Sequence, residues 1–313
     1  MIVERLQTAR RAAVRHAMAA ERAGFASYEQ ALTEVLLTRA APAVRVWTFS
    51  QREEATTGAD WLWWWHGEDE WFGVLVQAKR NKPVQSKPWY DFGYRTGSGH
   101  RQVDRLLGSA KRLEIPAVYV LYNHPPIPPF VPVSSPCCYM PSEGWRARLR
   151  VAVLPALVAQ TLIGGNEDVA AQYARPLECL AGPGSTPRLV PSVRSGIADD
   201  ELLQFLSATS LGLPRLVARG LLAQLTHMRG GEFRQARPDV GRPELDVLDR
   251  VFTGLPMDAC HFAEPYFDHV LRGLRTSPPE YVAAALDGVP IEEFAQSLEG
   301  IEGLVILEDF EAE

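Results

Sequence analysis

The stretch TTGADWLWWWHGEDEWFGVLVQAKR, residues 56–80, decides how this chain is read. Asp60 opens one expected strand, Gln77 and Lys79 close the next, and a polar turn from His66 to Glu70 separates them. Side chains at i and i+2 of an extended strand share a face. Gln77 and Lys79 therefore project together, with Val76 and Ala78 on the other side. If the two strands are neighbours, Asp60 reaches the same spot from alongside. A carboxylate, an amide oxygen and an ammonium meeting at strand ends can hold a hard divalent cation and manage a proton.

On the N-terminal side, residues 1 to about 23 predict an Ala/Arg-rich amphipathic helix closed by Gly24. A second helix is expected from Ser27, with Ser27 and Gln30 as a capping box and Leu32, Val35, Leu36 and Ala40 as its apolar stripe. Glu34 sits beside that stripe, just ahead of the strand cluster, although a solvated surface glutamate is the ordinary reading of such a residue. AVRVWTFSQ, residues 43–51, predicts the first strand, and a loop bearing Glu53 and Glu54 follows. Seven tryptophans between Trp47 and Trp89 could form a base-stacking platform. Aromatics at alternating strand positions more often pack in the core, and that reading is preferred.

On the C-terminal side, residues 79–112 carry nine lysines and arginines against two aspartates. Such a stretch attracts a phosphate backbone, though charged loops are commonly just solvated. GHRQVDRLLGSAKRL, residues 99–113, predicts a helix with Gln102 one turn before Leu106, and IPAVYVLYN, residues 115–123, a buried strand. Prolines then break the regularity from His124 to Pro136. The segment from Arg146 to Gly165 is expected to begin as strand or helix, continue as helix and cover the open face of the sheet. Residues 181–196 are the best linker on composition. These features divide the chain into residues 1–180, a core with an N-terminal helix, and residues 197–313, mainly helical, with the terminal GLVILEDFE as an edge strand.

The 313 residues suffice for one large domain or two smaller ones. A formal charge of −6 argues against non-specific coating of nucleic acid but leaves room for a local basic surface. Four cysteines, Cys137, Cys138, Cys179 and Cys260, include no CxxC pair, so neither a zinc site nor a disulfide scaffold is expected and a reducing cytoplasm fits. The longest apolar run, VAVLPALVA from Val151, is too short to cross a bilayer, and the N-terminus lacks the apolar core of a secretory signal. A soluble intracellular protein is the expectation.

The order helix, strand, strand, strand, helix, strand over residues 27–123, with Asp60 followed by Gln77-Ala78-Lys79, resembles the PD-(D/E)xK nuclease superfamily. Within it, the pattern is similar to Mrr-like restriction endonucleases, in which Q-x-K replaces the usual acidic form. The resemblance implies an α/β restriction-endonuclease-like core (αβββαβ, a mixed sheet flanked by helices) and Mg²⁺- or Mn²⁺-dependent hydrolysis of nucleic acid, with DNA favoured over RNA, in defence against foreign DNA. It makes Asp60 the metal-binding aspartate, Gln77 the counterpart of the second acidic ligand, Lys79 the motif lysine, Glu34 the acidic residue of the first core helix and Gln102 the polar residue of the following helix. Metal ligation then falls to Asp60, Gln77 and Glu34. Glutamine brings no charge, so Glu53 or Glu54 could compensate if the loop folds inward. The missing carboxylate also leaves open a module on the same fold that binds nucleic acid or protein without cleaving. In a third reading the helical C-terminal region binds a protein partner or a second copy.

Overall fold

The computed structural model describes the chain except residues 1, 42, 50–58, 96–98, 130–141, 183–185, 230–248, 253, 290–293, 295–297, 299 and 309–313, and the side chains of 142 and 143. The elements run α1 (Ile2–Arg22), α2 (Glu29–Ala40), β1 (Val44–Thr48), β2 (Trp61–His66), β3 (Trp71–Arg80), α3 (Gln102–Arg112) and β4 (Ala117–Tyr122). They continue with α4 (Ser142–Arg148), β5 (Val151–Pro155), α5 (Ala156–Leu162), α6 (Ala170–Tyr173), β6 (Arg175–Pro176), α7 (Pro191–Ser195) and α8 (Asp200–Ser207). The last are α9 (Leu213–Arg229), α10 (Tyr266–Leu271), β7 (Leu274–Arg275), α11 (Glu280–Leu286) and β8 (Gly303–Glu308).

An eight-stranded mixed sheet organises the molecule in the order β1-β8-β2-β3-β4-β5-β6, with β7 pairing β3 off this path. β2 and β3 pair antiparallel, Trp61 opposite Val76 and His66 opposite Trp71, across the expected polar turn. β3 and β4 run parallel, so their connection must cross over, and α3 makes that crossing. Parallel neighbours put paired residues on one face, which sets Gln77 beside Tyr119 and Lys79 beside Leu121.

The tryptophans pack as core. Trp61, Trp63, Trp64, Trp65 and Trp71 are all buried, and Trp64 meets Tyr281 of α11 edge to face at 6.3 Å between centroids. Helix α5 packs against both α3 and α9, and all three pack on the sheet, while α1 packs along α2 and α2 along β1 and β3. Arg10 of α1 and Arg148 of α4 both donate to the fully buried Glu178 carboxylate, at 3.1 and 2.9 Å. Two guanidiniums on one carboxylate supply the pairing that a buried charge needs.

Two expectations are corrected. Ser27 caps no helix: α2 starts at Glu29 behind Tyr28, no side chain caps it, and the Ser27 hydroxyl turns back to Ala17 O. Gly24, at φ +77, closes α1 as expected, and α2 begins five residues after it, at Glu29. The segment after Arg146 follows its expected order of strand then helix, with Val151–Pro155 extending the sheet antiparallel to β4 and α5 packing on β4 and β5. The terminal strand is not at an edge. β8 lies between β1, antiparallel, and β2, parallel, with all six residues buried. Residues from both halves of the chain thus share one sheet, and α9 packs on β2, β3 and β5. Among the described residues, no helix is long and apolar enough to cross a membrane.

Candidate active site

Asp60 directly precedes β2, and its N–H still joins the ladder, donating to Val76 O at 2.9 Å. Past Val76, β2 offers β3 no more backbone, and the Asp60 side chain takes its place. Oδ2 accepts the Ala78 N–H at 2.7 Å, and Gln77 Nε2 lies 2.9 Å from both carboxylate oxygens. The same nitrogen is 3.2 Å from Ala78 O. Three oxygens therefore surround one amide nitrogen.

The network continues away from the carboxylate. Gln102, the first residue of α3, donates from Nε2 to Gln77 Oε1 at 3.1 Å, and its own Oε1 accepts from Lys79 Nζ. An ammonium only donates and a carboxylate only accepts, so the two ends dictate which way both amides face. The result is a polarised line Lys79–Gln102–Gln77–Asp60. The alternation that puts Gln77 and Lys79 on one face, and the crossover that delivers Gln102 to that face, assemble it.

Beside this line opens a cleft of about 190 Å³, lined by Glu29, Lys79, Arg80, Lys82, Asp91, Tyr94 and Gln102. Glu29 is fixed by accepting the Arg80 N–H at 3.2 Å, and the Arg80 guanidinium holds Ser27 O at 2.9 Å. Asp91 owes its position to its neighbours. Tyr90 and Phe92 are fully buried, Phe92 packs on Tyr119 at 5.0 Å, and alternation turns Asp91 outward to the cleft. A larger groove of about 640 Å³ between α7 and α8 has Arg194 as its single charged lining residue, so size alone does not make it a reaction site.

Burial pushes the Asp60 carboxyl up from 3.8 to about 6, against the Ala78 N–H, the Lys79 charge and the Gln77 amide, which favour the carboxylate. Burial likewise lowers Lys79, while Asp60, Asp91 and Glu29 oppose the shift. The Tyr119 hydroxyl, next to Gln77 in the sheet, is fully buried with no hydrogen-bond partner among the described residues. Its ionisation is pushed far up, by burial first and then by Asp60.

The structure thus brings Asp60, Gln77, Lys79 and Gln102 together and leaves Glu34 out. Glu34 is exposed and does not line the cleft. Five helical residues turn the side chain by about 140°, so α2 aims Glu29 rather than Glu34 at the site. Glu53 and Glu54 lie outside the described residues. Sequence reading missed Glu29, Asp91 and Tyr94. The Tyr90-Asp91-Phe92 alternation was a usable signal for Asp91.

Among the described residues, no group of three or more His, Cys, Asp and Glu is arranged to hold a metal ion. The donors on offer are one carboxylate, one backbone carbonyl and an amide oxygen reached by turning Gln77, with Glu29 across the cleft. All are oxygens, and of the three adjoining ones only Asp60 can carry charge, a set that suits a hard cation keeping most of its own waters, as Mg²⁺ does, rather than a softer metal.

No curated protein and no solved structure matches the chain. A family model described as a family of unknown function (DUF6615) matches residues 3–311, and the chain belongs to that family.

Proposed function

We propose that this protein is a metal-dependent nuclease that hydrolyses phosphodiester bonds, with DNA as its substrate, on a restriction-endonuclease-like core. One observation carries the reading: the line Lys79–Gln102–Gln77–Asp60 joins a depressed lysine to a half-buried carboxylate at the mouth of a basic cleft. The order α2-β1-β2-β3-α3-β4 supports the core assignment, with β8 inserted between β1 and β2 as a departure.

Asp60, Ala78 O and the turned Gln77 amide would hold Mg²⁺ or Mn²⁺. The ion, when bound, supplies Lewis acidity toward a phosphoryl oxygen. Lys79 does the work of this chain's own side chains. Its lowered pKa brings the amine closer to accepting a proton from an attacking water, and Gln102 Oε1 fixes where Nζ sits. Glu29 adds a second carboxylate across the cleft and is the acidic contributor from α2.

The binding-only alternative also has support in a specific feature. Gln77 faces Asp60 with nitrogen, so the spot a cation would take holds an N–H donor instead. A single experiment separates the two. Plasmid and linear DNA are incubated with Mg²⁺ or Mn²⁺, with and without chelator, using wild type and the Lys79→Ala, Glu29→Gln and Glu34→Gln variants. Cleavage that needs the metal, vanishes in Lys79→Ala, falls at least about tenfold in Glu29→Gln and survives in Glu34→Gln supports hydrolysis. Salt-dependent binding with no cleavage in any metal supports the alternative.

A further inference from the structure

The exposed aromatic rings among the described residues lie on two segments that meet at the cleft. Among the described residues, the exposed phenylalanines, tyrosines and tryptophans are Phe25, Tyr28 and Tyr94, at 72%, 67% and 50% exposure. Tyr94 lines the cleft, Tyr28 directly precedes the lining residue Glu29, and Phe25 belongs to the same turn, whose Ser27 carbonyl is held by Arg80. None sits on loose chain. Phe25 N–H bonds Ala20 O at 2.9 Å, Tyr28 O accepts from Leu32 at 3.2 Å, and Tyr94 O accepts from the Gln102 N–H at 2.9 Å. The Lys79 ammonium stands 5.7 Å from the Tyr94 ring centroid, so the ring is part of the site's surroundings. Exposed apolar surface that is grouped rather than scattered marks a binding site, and here Tyr94 lines the cleft while Tyr28 adjoins its lining residue Glu29.

The charge around them says what would cover them. Residues 79–112 carry a net excess of seven positive charges in a chain whose total is −6. Arg80 and Lys82 stand in the cleft itself. A duplex presents its phosphates outward and keeps its bases stacked inside, which gives the basic residues partners but the rings none. An unpaired strand offers both, phosphates for the cations and open base faces for the rings.

We infer that the site takes a single-stranded or unpaired stretch of nucleic acid, with bases stacked on Tyr94 and Tyr28 as the scissile phosphate enters beside Lys79. This rests on the phosphodiester reading of the cleft, and the following experiment keeps the two apart. The full chain is titrated, in chelator so that nothing is cut, against a labelled 20-mer DNA strand and against the same strand in duplex, by fluorescence anisotropy. Cleavage of both is then followed with Mn²⁺. Wild type should bind the single strand at least about tenfold tighter than the duplex. Tyr94→Ala should cost the single strand about tenfold and narrow the preference, and Tyr94→Phe should restore most of it, since stacking needs the ring and not the hydroxyl. Equal binding of both forms, or a Tyr94→Ala loss shared equally between them, overturns the inference. Ring-dependent strand binding without cleavage in any metal leaves it standing and removes the hydrolytic reading. Failure to bind either form removes both.

Discussion

Replacing Asp60 by asparagine is expected to make the protein more stable and inactive at once. A carboxyl held at about 6 when folded and 3.8 otherwise binds more protons in the native state, so its ionisation opposes folding as pH rises from about 4 to 6. A shift of that size corresponds to roughly 3 kcal/mol of cost above pH 6. Asparagine removes the charge and can still accept the Ala78 N–H through its oxygen. Its own amide N–H then meets Gln77 Nε2, two donors face to face, and Gln77 must turn. Part of the gain is lost there, so a net stabilisation of about 1–2 kcal/mol is the expected outcome at pH 8 in chelator. Below pH 4 the wild-type carboxyl is neutral and the gain should vanish. Urea denaturation of both proteins at pH 8 and pH 4 measures this, and a variant weaker than wild type at pH 8 would mean that the carboxylate is there to hold β3. The same variant should cleave nothing.

The second large effect is expected at the far end of the chain. Leu304, Val305, Ile306 and Leu307 are at most 1% exposed, and β8 supplies the partner of both β1 and β2. Removing four such side chains forfeits about 6–12 kcal/mol of burial, comparable to the whole stability of an ordinary domain. Cutting the chain before Gly303 should therefore yield an insoluble or unfolded product, even though everything in the candidate site lies before residue 103. Gly303 itself is a sharper probe. A methyl group there would stand 2.4 Å from the Trp61 ring and 2.5 Å from Trp47 O. Gly303→Ala should cost about 3 kcal/mol or more, because a backbone oxygen cannot step aside as a flexible side chain can. A truncated protein with a native circular dichroism spectrum and a sharp thermal transition would show that β8 is dispensable.

This second expectation marks where the sequence stops being legible. Strand alternation is a local property, so it correctly joined Gln77 to Lys79 and put Asp60 at the mouth of β2. Helical periodicity placed Gln102 on the crossover helix, which was expected from residue 99 and begins at Gln102 itself. The position of β8 is set by pairing between residues more than two hundred apart, such as Trp63 with Val305, and four apolar residues in a row, Leu304 to Leu307, look alike at an edge or a centre. Glu34 entered through the resemblance, which asks only for an acidic residue on the first core helix, and a pattern of that kind does not say which turn faces the site. Glu29, the first residue of α2, is the one that reaches the strand end.

The arrangement around Gln77 gives the most direct test of the central claim. As it stands, the ammonium at one end and the carboxylate at the other turn the Gln77 nitrogen toward Asp60. A cation there needs the oxygen instead. A crystal of the full protein soaked in Mn²⁺ and measured for anomalous scattering should show a peak beside the Asp60 carboxylate, close to Ala78 O, with the Gln77 amide reversed. No peak at Mn²⁺ concentrations that fill ordinary Mg²⁺ sites, with Gln77 still donating to Asp60, would contradict the account.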